Sequence, residues 1–311
     1  MSYTIAVDVG GTQIRAACYP PESIIPVKIE RSPTRCPDKP PLECMFDLIR
    51  SVWPEDQDVE AIGVAAPGPL NPYTGVIAEA PNIPGWINLP LRQYTQERFK
   101  VPVAVGNDAN LAALAEWKYG VGRGHHHLVY LTVSTGIGGG VIIDDKLLLG
   151  TQGLAAELGH ITVLPGGPMC GCGHPGHLEA LSSGTGIVNW VKEEIEGGIV
   201  TSLVHEHPLT AAKIAAAARN GDELAMNAFT RAGSYLGLTI ANFLHIFNPT
   251  IVVIGGGVSQ SGNLLLDPMR SAMQVATLSP QYLENLTITT AALGDEVGLI
   301  GALALAHSFK G

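Results

Sequence analysis

Five apolar runs rich in valine, isoleucine and alanine each stop abruptly at glycine or a polar turn. They are YTIAVDVGGT from Tyr3, AIGVAAPGPL from Ala61, VPVAVGNDAN from Val101, LVYLTVSTGIGGG from Leu128 and TIVVIGGGV from Thr250. Strands this short of polar alternation need cover on both faces, which predicts sheets clothed by helices, an α/β chain. Helices are expected at 109–119, 225–247 and 296–308. The first has Leu111, Leu114 and Ala115 on one face, behind Asn107 or Asp108 as its cap. The second stops at Asn248-Pro249, where proline bars continuation. The last carries Gly298 and Gly301, a spacing that lets a helix approach a neighbour closely. The proline-rich stretch 20–41 reads as a surface excursion with turns. Strand, glycine turn and strand occur near Asp8 and again near Thr135, so duplicated α/β halves are expected to face one another, both turns on one cleft. A chain of 311 residues has room for two such domains.

Bulk properties remove several function classes. Hydrophobic residues make up 46% against 15% charged, ample for a sizeable core, and no apolar run reaches membrane-spanning length. No basic-then-apolar leader precedes the first strand, so a soluble cytoplasmic protein with no membrane partner is expected. Eighteen basic against 28 acidic residues leave a net charge of −10. That balance opposes non-specific nucleic-acid binding, which needs clustered lysine and arginine. Of five cysteines, Cys170 and Cys172 form a C-x-C pair. Cys18, Cys36 and Cys44 are scattered and are expected as free thiols, a pattern suited to a reducing compartment with one metal site.

Three glycine turns follow strands. In the first, Asp8-Val-Gly10-Gly11-Thr12, paired glycines let backbone N–H groups approach an anion, Thr12 adds a hydroxyl, and Asp8 could hold Mg²⁺ through water. A plain hairpin turn is the alternative. The second runs from Ser134 through Thr135, Gly136 and Gly138, and the third is Gly255-Gly256-Gly257. Ligands in α/β folds gather at that edge of a sheet, so the joint reading is a clamped nucleotide, with Gly255 and Gly256 against purine or ribose. Neither G-x-G-x-x-G after the first strand nor a P-loop pattern occurs, which disfavours both of those nucleotide folds. Asp108, in Gly106-Asn107-Asp108, stands where a strand ends and a helix opens, and the helix N-terminus favours its negative charge. It suits a base that accepts a hydroxyl proton while a phosphoryl group leaves ATP. Helix capping alone is the competing explanation.

The Cys/His cluster is the most distinctive stretch. His160, Cys170, Cys172 and His177 supply the four soft donors that a tetrahedral zinc site takes, and His174 rivals His177 for the last place. Glu157 and Glu179 bracket the cluster, so a metal knot would hold two carboxylates on a rigid polar surface fit for a small hydroxylated guest.

DVGGT, GNDAN, STGIGGG and ELGH followed by CGCGHPGHLE together resemble the ROK family of sugar kinases and repressors, over nearly the whole chain. The resemblance implies an actin-like, hexokinase-type (ribonuclease H-like) fold with a zinc knot, its two lobes divided as 1–118 plus 295–311 and 119–294. ATP and sugar would lie in the cleft, and the lobes would close on the sugar. By matching positions, Asp108 resembles the catalytic base and Asn107 its sugar-binding neighbour. Glu157, His160 and Glu179 align with residues that bind sugar hydroxyls, and Gly68 and Asn82 with further parts of the sugar pocket. The family's knot usually ends G-C-L-E; here it is Gly176-His177-Leu178-Glu179. Repressors of the family carry a helix-turn-helix ahead of the first strand, whereas this chain reaches its strand by Tyr3, which implies an enzyme. The implied activity is ATP- and Mg²⁺-dependent phosphorylation of a hexose, glucose first. N-acetylmannosamine, N-acetylglucosamine, fructose or another polyol are the alternatives, and a polyphosphate donor is disfavoured by the knot. A non-catalytic sugar sensor and an actin-like structural ATPase are the readings from other classes. Assembly as a homodimer or tetramer is a further implication of the resemblance.

Overall fold

The computed structural model describes residues 2–80 and 82–308. Its contacts divide the chain into two compact units. The first comprises the chain up to Arg123, Leu147–Ala156 and the chain from Ala292 on; the second comprises Gly124–Lys146 and Glu157–Ala291. Leu147–Ala156, inside the stretch that the family resemblance assigns to the large lobe, groups with the first unit.

In the first unit, β1 (Tyr3–Val9) and β2 (Gln13–Tyr19) form an antiparallel hairpin whose turn is the first glycine turn. Strand β3 (Lys28–Pro33) adds antiparallel to β2, and helix α1 (Pro41–Val52) follows. Strand β4 (Val59–Ala66) runs parallel to β1. A small three-stranded sheet of β5 (Leu70–Asn71), β6 (Val76–Glu79) and β7 (Ile87–Leu89) then leads to helix α2 (Leu91–Phe99). Strand β8 (Val103–Asn107) lies parallel to β4 and runs directly into helix α3 (Asp108–Tyr119).

The second unit repeats the plan. Strands β9 (Leu128–Val133) and β10 (Ile137–Ile143) make the antiparallel hairpin, with β11 (Lys146–Leu147) beside β10. After the cysteine-rich loop come helices α4 (Leu178–Ser182), α5 (Gly184–Glu196), α6 (Ala211–Arg219) and α7 (Glu223–Phe247). Strand β12 (Ile251–Gly255) pairs parallel with β9, helix α8 (Asn263–Ala276) follows, and β13 (Thr287–Thr290) pairs parallel with β12. The sheet orders, β3-β2-β1-β4-β8 and β11-β10-β9-β12-β13, correspond strand for strand.

Burial on both faces accounts for the strands visible in sequence: seven of the eight residues of β4 and all five of β12 are buried. The C-terminal helix (Val297–Ser308) packs on α3, β4 and β1 of the first unit. A Cβ at Gly301 would stand 2.3 Å from the Leu111 carbonyl oxygen, so glycine is what permits that approach. Buried Glu116 on α3 accepts the backbone N–H groups of Ala292 and Leu293 through Oε1, both at 2.8 Å, and that of Val121 through Oε2 at 3.1 Å.

Two expectations are corrected. The stretch 20–41 contains β3, a largely exposed strand whose polar residues hide it from a hydrophobic pattern. Cys36 and Cys44 are not free thiols: they form a disulfide, because a turn after β3 brings the chain back to α1 with the two Cα atoms 6.4 Å apart. Cys18, Cys170 and Cys172 are free. No helix among the described residues is long and apolar enough to cross a membrane.

Candidate active site

On the first unit, Asp8 lies directly across the hairpin from Arg15, and the register makes them an ion pair at 2.5 Å. Asp8 Oδ2 is also the atom that a Cβ at Gly298 would strike at 2.5 Å, so the C-terminal helix begins against this carboxylate. In the adjoining turn Gly10 N–H donates to the Gln13 carbonyl, and Thr12 is exposed. A Cβ at Gly11 would come within 2.9 Å of the Asn82 Cβ, which places exposed Asn82 beside this turn. Gly68 has φ +87°, and a side chain there would collide with the Glu79 carbonyl oxygen.

At the end of β8, Asn107 is the cap of α3. Its Oδ1 accepts the N–H groups of Ala109 and Asn110 at 3.0 and 3.1 Å. Asp108 is the first helical residue, exposed, with Oδ1 accepting from its neighbour Ala109 N–H at 2.8 Å.

On the second unit, His160 ends a 3₁₀ turn, Leu158–His160, which exposed Glu157 opens. That turn sits on β10, where a Cβ at Gly159 would meet the Ile137 carbonyl oxygen. The loop beyond is stitched to itself. Val163 and Leu164 donate to the Gly176 carbonyl, Gly176 to Pro168 and Leu178 to Ile161. At Gly176, with φ +73°, a Cβ would stand 1.7 Å from the Leu164 carbonyl oxygen, so no other residue fits.

This stitching brings the ligand atoms of His160, Cys170, Cys172 and His177 within 4.8 Å of one another. Cys170 Sγ lies 3.7 Å from His160 Nδ1, and Cys172 Sγ 3.2 Å from His177 Nδ1. Two sulfurs and two ring nitrogens around zinc would stand about 3.3–3.8 Å apart, so the donor set is compatible with that ion. His174 stands outside the group of four, stacked on His177 with ring centroids 5.8 Å apart. Burial, with the Glu179 carboxylate in support, pushes the Cys170 thiol up to about 12 with its Sγ 3.2 Å from Glu179 Oε1; zinc would take it as the thiolate. Burial and then the imidazoles of His160 and His174 lower the pKa of His177, keeping the ring neutral as a metal ligand must be.

Glu179 joins this loop to the second glycine turn, accepting the Ile137 N–H at Oε2 at 3.0 Å. A Cβ at Gly136 would fall 2.4 Å from the same oxygen. Thr135 is exposed, and Gly138 pairs with Thr132 in the hairpin. Sequence reading passed over the start of α5, where Gly184 and Thr185 N–H groups donate to the Ser134 and Thr135 carbonyls and Ser183 Oγ caps the helix. Its signal was the Ser-Ser-Gly run after Leu178-Glu179, a helix-start pattern. A cavity of about 550 Å³ opens here, lined by Thr135, Gly136, Cys170, Glu179, Ser183 and Trp190 among others. Gly255 and Gly256 answer to packing within their unit: side chains there would strike the Tyr130 hydroxyl and the Val133 carbonyl.

A family model described as ROK family matches residues 4–309. A glucokinase of Thermotoga maritima is 35% identical, over 97% of this chain and 96% of the relative. A xylose repressor of Caldicellulosiruptor bescii is 33% identical, over 86% of this chain and 68% of the relative. Among solved structures, a ROK family glucokinase from Streptomyces griseus in complex with glucose and AMPPNP superposes with a TM-score of 0.81. It is 33% identical and covers 99% of this chain and 100% of its own.

Proposed function

The chain belongs to the ROK family and is a sugar kinase with that family's hexokinase-type α/β fold, and from this premise we propose that it transfers the γ-phosphate of ATP to a hexose, glucose before others. The observation that carries the reading is Asp108, an exposed carboxylate at the end of a buried parallel strand and the start of α3. As the attacking hydroxyl oxygen bonds to the γ-phosphorus and the bond to the β-phosphate oxygen breaks, Asp108 takes the hydroxyl proton. Asn107 spends its Oδ1 on capping, which leaves the Nδ2 hydrogens to meet a sugar hydroxyl.

Glu157, His160 and Glu179 would hold other hydroxyls, with Gly68 and Asn82 lending backbone shape and an amide. Glu179 already accepts two hydrogen bonds, yet a carboxylate has room for about four. N–H groups of the two hairpin turns, at residues 10–12 and 135–138, would take up phosphate charge, and positioning of this kind supplies most of the rate in such transfers. Gly255 and Gly256 would flank the nucleoside. Mg²⁺ would arrive with ATP, and Asp8, committed to Arg15, would reach it only through water. Zinc on His160, Cys170, Cys172 and His177 would cross-link the loop and so fix His160 and Glu179.

The test is ATP-dependent ADP release over glucose, mannose, fructose, their N-acetylamino relatives and myo-inositol. Glucose should give the highest kcat/KM, and Asp108→Ala should lose about three orders of magnitude in kcat with its fold intact. A different preferred sugar would replace glucose in the proposal. Near-normal turnover of the variant would take the base role from Asp108.

A further inference from the structure

The first hairpin turn is held from behind by a residue that none of the motifs includes. Thr34 follows β3 and is fully buried. Its hydroxyl donates to the Gly10 carbonyl oxygen at 2.6 Å, and its backbone N–H donates to the Thr12 carbonyl oxygen at 2.9 Å. One residue thus engages the carbonyls on both sides of Gly11. A trans peptide is planar, with its N–H opposed to its C=O. Pulling the Gly10 carbonyl toward Thr34 therefore turns the Gly11 N–H away from Thr34, and the same holds for Thr12 and the Gln13 N–H. Glycine is the residue whose peptide flips most readily, so without this restraint the turn would sample orientations that present a carbonyl instead. Two residues beyond Thr34, the Cys36–Cys44 bond fastens the segment to α1, which makes the brace part of the framework.

We propose that Thr34 is a positioning residue for nucleotide phosphate, orienting the peptide that joins Gly10 to Gly11 so that its N–H is presented to a phosphate oxygen. This rests on the reading of Gly10, Gly11 and Thr12 as a phosphate-holding turn.

Thr34→Val keeps the shape and the backbone N–H and removes only the hydroxyl. It should raise the AMPPNP dissociation constant, read by titration calorimetry, and the KM for ATP by about tenfold. The KM for glucose should stay within about twofold. Thr34→Ser, which restores the donor, should return both nucleotide constants to near wild type; a purely structural role would not produce this split or this rescue. A folded Thr34→Val protein with unchanged AMPPNP affinity, or a serine variant that fails to rescue, overturns the proposal. Should the valine variant not fold, Thr34→Ala takes its place under the same criteria. If neither folds, the hydroxyl holds the fold rather than the turn, and the proposal is overturned. Wild-type protein that binds no AMPPNP would sink the kinase reading itself, and this inference with it, whereas normal wild-type binding with indifferent variants sinks only the role of Thr34.

Discussion

Asp222 illustrates how one carboxylate fixes an element end. It caps the 25-residue helix α7 through the Ala225 N–H and also accepts the Thr201 hydroxyl and the Ser202 N–H and hydroxyl. Burial alone would raise its pKa, but these four hydrogen bonds outweigh burial and hold it at about 2, below the ordinary 3.8. The folded value lies under the unfolded one, so the contribution is complete above about pH 4 and is lost as pH falls toward 2. With solvent screening it is worth about 1–2 kcal/mol. Asp222→Asn should lower stability by that amount at pH 7, and the gap should close between pH 4 and 2 in urea titrations. A gap that persists at pH 2 would assign the effect to packing. At this scale the start of α3 at Asn107 and Asp108 was legible, because a helix cap depends on neighbours along the chain. Which of the two caps was undecided because both side chains accept N–H groups equally well; the backbone path out of β8 makes it Asn107. The Cys36–Cys44 pair escaped because it depends on a turn with no hydrophobic signature.

Among the elements, the cysteine-rich loop has almost no regular structure and yet is stitched to itself by a run of backbone hydrogen bonds. Zinc and carboxylate would act in series there: the four donors would set the loop, and the loop holds Glu179 against the second hairpin turn. Stripping zinc with a chelator should raise the KM for sugar by about tenfold or more and that for ATP by much less, with readdition of zinc restoring it. Kinetics with metal content followed by atomic absorption read this directly, and equal loss in both constants would reduce the loop to remote scaffolding. Spacing made the donors legible, but not the choice of His177 over His174 as the one beside the other three. That choice depends on Gly176, whose left-handed backbone turns the chain so that His177 opens α4. Strands β1, β4, β8, β9 and β12 declared themselves by burial on two faces. Edge strands β3 and β13, half open to solvent, carry Lys28, Glu30 and Arg31 or a run of threonines and gave no such signal.

Over the whole molecule, the duplicated hairpins were legible as an echo of glycine turns, and the matching sheet orders give the echo its physical form. The charge is also a property at this scale. Relatives include a xylose repressor, but a net charge of −10 opposes association with a duplex, which draws on clustered lysine and arginine to release counterions. Fluorescence anisotropy with labelled duplex DNA should therefore show no binding at micromolar protein, even at low salt. Saturable binding there would revive a regulatory reading.

Glu116 carries one more consequence. Its carboxylate grips Val121, just before the chain leaves the first unit, and Ala292 and Leu293, where the chain finally returns. The long excursion through the second unit thus begins and ends at a single stitch. In the language of chain architecture, the first unit is a host, the second a guest inserted into its sequence, and Glu116 the knot that ties the host's two flanks together.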